Sequence, residues 1–486
     1  MLPGPTVSSR NWVVRAIGLI LLAYAVSTLL GWTRPQHVAP VAAHGAQPET
    51  PDWWAVIPFV LLLAAIAVLP LWRWAEHWWE SNLHKLYVAG GLALATLLYL
   101  AVLHPSGGLN LMTHAVEHVV VRDYVPFIVL LFSLFTISGG VRIEGDLPAH
   151  ALTNTSLIAA GGLLASFVGT TGAAMLLIRP VLETNSERRH VAHTVVFFIF
   201  VVCNCGGLLL PIGDPPLFLG YLEGVDFFWT LSLWKHWVLV NSLLLAVYFV
   251  LDHFYHYPRE TKADVAADES RLRPLSFQGL WPNVPLLVGV VLSVALLDPG
   301  KPLPLTTWHP WLFLREATQL ALVAISLTTG SPRLRAANQF DYAPIVEVAV
   351  LFIGIFVAMQ PALEILAARG GDLGLDTPHK LFWATGWLSA VLDNAPTYLV
   401  FFQAAQAVPA EGMPRVAGVG EPLLVGIALG AVNMGAMSYI GNGPNFMVKT
   451  IAERAGVAMP SFFRYVLYSS LYLLPILALD AWLLLE

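Results

Sequence analysis

Pro211-Ile212-Gly213-Asp214-Pro215-Pro216-Leu217-Phe218 is echoed 228 positions later by Tyr439-Ile440-Gly441-Asn442-Gly443-Pro444-Asn445-Phe446. Ile, Gly, Pro and Phe recur at four of the eight positions. Both copies lie inside apolar stretches, and a continuous helix tolerates neither their prolines nor their glycines well. Gly/Pro-interrupted segments in corresponding halves of a membrane chain point to the binding site of a secondary transporter. The two octapeptides therefore predict two broken transmembrane helices, over 191–224 and 420–456.

Composition supports a bilayer setting. The chain has 486 residues, 57% hydrophobic and 12% charged, with mean hydropathy +0.68. Soluble proteins carry about 25% charged residues. Many windows of about 20 residues are nearly free of charge, long enough to cross a bilayer. The expected fold is an all-α polytopic membrane protein with about eleven spans. They fall near 11–32, 53–74, 84–104, 124–143, 191–224, 231–252, 282–298, 311–329, 344–368, 420–456 and 461–484. Two more apolar segments, 151–180 and 379–408, are interrupted by Gly169-Thr170-Thr171-Gly172 and by Asp393-Asn394-Ala395-Pro396-Thr397. Irregular backbone facing lipid is too costly, so both are expected to be re-entrant hairpins with buried or cavity-lining tips.

With the N-terminus inside, 17 of the 25 Lys and Arg residues fall in inner loops, the side that positive charge prefers. The polar loop 253–281 then lies in the cytoplasm and divides two repeats, 51–252 and 282–486. Each reads as three spans, a hairpin, a broken span and a final span. Five full spans per repeat is an odd number, so the second repeat is inverted. Residues 1–50 form an N-terminal helix, either a cleaved signal or an extra span, and a periplasmic linker. The run from Ala16 to Trp32 is longer than a usual signal core, which favours a retained span.

A broken helix exposes unpaired N–H groups at one half and unpaired carbonyls at the other. Its dipole makes the first end attract anions and the second attract cations. One expected cluster combines Gly169, Thr170, Thr171, Asn204, Gly213 and Asp214. The other combines Asp393, Asn394, Thr397, Asn442, Gly443 and Asn445. Hydroxyls, amide oxygens and one carboxylate each suit a hard monovalent cation such as Na⁺. The plain alternative is that these are helix caps and packing breaks. Asp214 and Asp393 are the decisive pair, because a carboxylate inside a membrane is expensive and functional by default. Alone it takes up a proton, which a cation can displace. One site alternating between H⁺ and Na⁺ is the minimal chemistry of an antiporter.

Other signals are weak. No Walker A loop suggests ATP as energy source, and no cofactor or nucleic-acid partner is expected. Cys203 and Cys205 are too close for an ordinary disulfide and read as small packing residues beside Asn204. His114-Ala-Val-Glu117-His118 matches a zinc-ligand spacing without a third ligand, so no transition-metal site is expected. Glu347, Glu364 and the pair Arg315-Glu316 read mainly as packing or interface charges. An enzyme needs a nucleophile–base pair or a closed metal set, and neither is evident. A channel needs no inverted copies of a midplane break.

The stretches Phe135-Thr-Ile-Ser-Gly-Gly140, Gly169-Thr-Thr-Gly172, Ile212-Gly-Asp-Pro-Pro-Leu-Phe218, Phe352-Ile-Gly-Ile-Phe-Val-Ala-Met359, Leu392-Asp-Asn-Ala-Pro-Thr397 and Ile440-Gly-Asn-Gly-Pro-Asn445 resemble the ion transporter superfamily. The branch is that of citrate-transporter-like and sodium:proton-antiporter-like proteins. The resemblance spans roughly residues 120–460. It implies a homodimer, a scaffold domain, a transport domain of two hairpins and two broken helices, and elevator-type alternating access. Related dicarboxylate transporters carry Ser-Asn-Thr at both hairpin tips to bind Na⁺ and carboxylate. The tips here differ, and the carboxylate of Asp393 should repel an anion. The expected function is thus Na⁺/H⁺ antiport in a bacterial inner membrane. The alternative is a citrate or dicarboxylate transporter coupled to Na⁺ or H⁺.

Overall fold

The computed structural model describes residues 7–34, 50–72, 74–105, 107–263, 268, 272–409 and 412–485. The linker expected before Thr50 lies largely outside them. The chain is almost entirely helical. Helix α1 (Val7–Leu29) leads to α2 (Ile57–Val68) and α3 (Asn82–Leu98). Helix α4 (Leu109–Glu117) runs through a π-helical stretch into α5 (Val125–Ser138). After strand β1 (Arg142–Asp146) come α6 (Ala151–Val168), α7 (Thr170–Thr184), α8 (Ala192–Val202), α9 (Pro215–Leu222) and α10 (Trp234–Leu251). Strand β2 (Arg273–Gln278) opens the second half. It is followed by α11 (Leu280–Leu296), α12 (Leu314–Thr329), α13 (Ala343–Ala358) and α14 (Gln360–Arg369). The chain ends with α15 (Pro378–Val391), α16 (Asn394–Gln406), α17 (Glu421–Met434), α18 (Gly443–Arg454) and α19 (Phe462–Leu484).

Seven helices among the described residues are long and apolar enough to cross a membrane, or eight if the pair α13–α14, bent by 45°, is one span. Six of the seven coincide with expected spans, and the seventh is α6, one arm of the expected first hairpin. The remaining expected spans are helices of fewer than 18 residues, and α12 also carries Arg315 and Glu316 near its start.

Helices α8 and α17 form the centre. Every residue from Thr194 to Val202 is buried, as is every residue from Ile427 to Met434. A helix apolar on all sides belongs inside a protein rather than at its surface. By contrast α1 is only 6% buried. On one flank α3 packs on α13, and Phe127 of α5 stacks with Phe352 at 4.8 Å. Elsewhere α10 packs on α19.

The two halves interlock reciprocally. Helix α9 packs on α16, and α18 packs on α7. In each half the helix after the break therefore lies against the second arm of the other half's hairpin. A short antiparallel ribbon of β1 and β2 adds a further tie, with Arg142 opposite Gln278 and Asp146 opposite Arg273. The loop 253–281 was expected to be a plain linker, and its end supplies this strand. A second ribbon pairs Arg415–Val416 with Val419–Gly420.

Candidate functional site

Each broken helix ends in the same way. Helix α8 gives a 3-10 turn, Cys205–Leu209, and then irregular backbone as far as Asp214. Helix α17 gives Gly435–Met437 and irregular backbone as far as Asn442. Asp214 and Asn442 are both extended, at φ −142° and −153°, and each is the N-cap of the helix that follows. Pro215 and Pro216 start α9, and Pro444 is the second residue of α18. Proline there has φ already set for a helix and lacks only an N–H that would be unpaired anyway. The sequence thus restarts each helix at a fixed point and leaves a polar cap facing the gap.

The hairpin tips meet these gaps. Arms α6 and α7 are joined by the single residue Gly169, at φ +79°, a left-handed conformation that glycine adopts without penalty. The N–H of Thr170 donates to the carbonyl of Gly213 at 2.8 Å. Arms α15 and α16 are joined through Leu392 and Asp393, and the N–H of Asn394 donates to the carbonyl of Gly441 at 3.2 Å. One hairpin-tip amide therefore docks on the glycine carbonyl of each break. At Gly213 a Cβ would sit 2.1 Å from the Gly207 carbonyl oxygen, so this loop closes only around glycine.

The two expected clusters converge on one carboxylate. Asp214, 1% exposed, accepts from Thr170 Oγ1 at 2.9 Å and Asn442 Nδ2 at 3.0 Å through Oδ1. Its Oδ2 accepts from Asn394 Nδ2 at 2.7 Å. Four segments thus meet: first tip, first break, second tip and second break. The network continues through Asn204, whose Nδ2 donates to Asn445 Oδ1 at 2.8 Å. Asn445 Nδ2 in turn donates to the carbonyls of Gly435 and Ser438, each at 2.9 Å. Asn442 Nδ2 also lies within 3.2 Å of Asn204 Oδ1 and 2.9 Å of the Cys203 carbonyl. That gives three acceptors for an amide with two hydrogens. Oxygens are in surplus here, and Asn394 Oδ1 is buried without a partner. No ion pair to Asp214 occurs among the described residues.

Other expected residues fall outside this network. Asp393 is only partly buried; it caps α16 by accepting from the N–H of Ala395 at 3.1 Å. Thr397 Oγ1 donates to the Asp393 carbonyl at 2.9 Å. Asp393 and Thr397 thus belong to the second tip without a direct hydrogen bond to Asp214. Thr171 is half-buried, and Gly443 is exposed with open space around it. Among the secondary charges, Glu347 pairs with the buried Lys85 at 2.6 Å, Glu364 with His104 at 3.1 Å, and Arg315 with Glu316 at 2.7 Å. Cys203 and Cys205 are buried packing residues.

Sequence reasoning left three buried polar residues out of the site. Ser438 Oγ accepts from the N–H groups of Ile440 and Gly441, each at 3.2 Å, and so shapes the second break. Ser166 Oγ donates to the carbonyl of Gly206 at 2.6 Å and ties α6 to the first break. Asn433 is 1% exposed, and neither amide atom has a partner. The signal was present: each is a polar residue in an apolar run beside a break.

A family model described as "Putative citrate transport" matches residues 48–485. No curated protein matches the chain. The match spans both breaks, both hairpin tips and nearly the whole sequence, and the chain belongs to this citrate-transport family.

Proposed function

We propose that the chain is a secondary active transporter that exchanges Na⁺ for H⁺ at Asp214. The observation that carries this is a fully buried carboxylate held, among the described residues, only by neutral donors, Thr170, Asn394 and Asn442, from three different segments. A charge left uncompensated in such a place is costly to bury. Two species remove that cost, a proton on Asp214 or a small cation beside it. The orphaned Asn394 Oδ1 and the surplus oxygens around Asn442 are the hard ligands that Na⁺ takes. A site that moves only when neutralised exchanges one for the other without leak.

The reciprocal packing of α9 on α16 and α18 on α7 supports two inverted repeats of about five spans each after an N-terminal span. Hairpins and broken helices form the moving unit of an elevator, and α3, α5, α11, α12 and α13 belong to a scaffold that pairs two protomers. The charge bias of the loops supports a cytoplasmic N-terminus in a bacterial inner membrane. Exchange at Asp214 alone is electroneutral. Participation of Asp393 makes it two H⁺ per Na⁺, and voltage then adds about 2.3 kcal/mol per 100 mV.

A second reading, uptake of citrate or a dicarboxylate coupled to Na⁺ or H⁺, is favoured by the family description. Open space at Gly443, the first residue of α18, also offers helix N–H groups to an anion. The test uses sealed proteoliposomes with an imposed proton gradient and an internal pH dye. Dissipation by Na⁺ or Li⁺ alone is expected. Silence toward cations, with uptake of labelled citrate or succinate, overturns the exchange reading and leaves Asp214 as a coupling-ion site.

A further inference from the structure

Away from the breaks, three carboxylates gather where the first hairpin meets the loop joining the two halves. Asp146 ends β1, just before α6. Glu187 follows α7. Asp268 belongs to the loop between the halves. One oxygen from each lies within 4.8 Å of the others. Asp146 and Asp268 are each only 4% exposed, and each has a buried Oδ1 with no hydrogen-bond donor. Asp268 Oδ2 accepts from the N–H of Ala149 at 3.1 Å. Glu187 Oε2 accepts from Ser186 Oγ at 2.7 Å, and Glu187 is half-buried, so the group opens on one side.

Two nearby arginines make their hydrogen bonds to other acids. Arg273, opposite Asp146 in the ribbon, bonds Glu183 at 2.5 Å. Arg188 bonds Asp252 at 2.5 Å and also reaches Glu260, Asn185 and the Ala149 carbonyl. Burial first, and then the charge of Glu187, raises the Asp146 carboxyl above its ordinary range; Asp268 is raised in the same way. Buried carboxylates so close together need either shared protons or a cation. Two unpartnered oxygens with a third, more accessible carboxylate are the all-oxygen donor set that hard divalent ions take.

We propose that Asp146, Glu187 and Asp268 bind a divalent cation, Mg²⁺ or Ca²⁺, which ties both feet of the first hairpin to the loop between the halves. The ion replaces a repulsion among three acids with a shared bond. It fixes the base of the hairpin while leaving the tip at Thr170 free to engage Asp214. It is separate from the transported ion, because the two sites share no residue.

The test needs no transport assay. Free Mn²⁺ is followed by its paramagnetic resonance signal as it is titrated into the purified full-length protein in EDTA-stripped detergent buffer. Saturable uptake of about one Mn²⁺ per chain is expected, displaced by Mg²⁺ or Ca²⁺, and lost in Asp146→Asn/Asp268→Asn. Divalent ions should also slow proteolytic cutting within 253–280 of the wild type and not of the double variant. The single variant Glu187→Gln, at a half-buried position, provides the same comparison if the double variant does not fold. Absence of saturable uptake by the wild type, or undiminished uptake by folded variants, overturns the proposal.

Discussion

Asn394 donates its side-chain amide to Asp214 at 2.7 Å across 180 positions of sequence. That bond joins the tip of the second hairpin to the break of the first half. Occupancy of Asp214 is therefore felt by both halves at once. A proton on Oδ2 turns an acceptor into a donor and forces the Asn394 amide to turn or part. A cation beside the carboxylate leaves the bond intact and can use the free Asn394 Oδ1.

Asp214→Asn keeps the size of the side chain and removes its charge. One of its atoms must then face a donor such as Thr170 or Asn394, so some stability is lost, about 1–3 kcal/mol. The variant should still fold and elute as the wild type does, and should lose Na⁺-driven proton movement entirely. Melting curves and proteoliposome assays on the same preparation check both halves of this outcome.

Asp393 separates cap from charge. Asparagine caps a helix as well as aspartate does, whereas alanine costs about 1 kcal/mol. Asp393→Asn should therefore melt with the wild type and Asp393→Ala a few degrees lower. Both should lose transport. Normal transport in Asp393→Asn would reduce this residue to a cap.

Asn442→Ala removes a donor to Asp214 and the bridge to Asn204. Buried acceptors on Asp214, Asn204 and Cys203 share its two hydrogens and lose them, at about 1–3 kcal/mol per lost bond before relaxation. The Na⁺ concentration for half-maximal exchange should rise about tenfold, which corresponds to about 1.4 kcal/mol. A Na⁺ titration of dye dequenching reads it directly.

Two glycines of the repeated octapeptides should behave oppositely. Gly213→Ala places a Cβ 2.1 Å from a carbonyl oxygen that cannot retreat without opening the loop. Overpacking of this kind costs about 1–3 kcal/mol or more, and Thr170 loses its seat on the Gly213 carbonyl. Gly443→Ala meets open space and should leave the melting temperature unchanged. The two melting temperatures, measured side by side, check this.

What the sequence could tell depended on range. Local breaks were legible: Gly213 with Pro215 and Pro216, and Gly443 with Pro444, sit where no apolar helix can continue. The hairpins were legible for the same reason at Gly169 and Asp393. Their partners were not. Nothing in the order of residues says that Asn442 and Asn394 reach Asp214, or that Asn204 reaches Asn445, because these pairs arise only when one half folds over the other. The expected clusters therefore stood apart, and the structure merges them. Asp146 and Asp268 were invisible for a related reason, being ordinary loop acids until β1 and the loop between the halves come together. The expected spans that fall short of a full crossing helix lie on helices that are short or bent, as at Met359.

Exchange at this site requires a proton at Asp214 that a cation displaces. The most direct measurement adds Na⁺, with choline as control, to concentrated protein in weakly buffered detergent and follows the pH. Na⁺ should release protons from the wild type, choline should release none, and Asp214→Asn should release none with either. Release that persists undiminished in Asp214→Asn, or no release from an active wild-type preparation, would contradict exchange at Asp214.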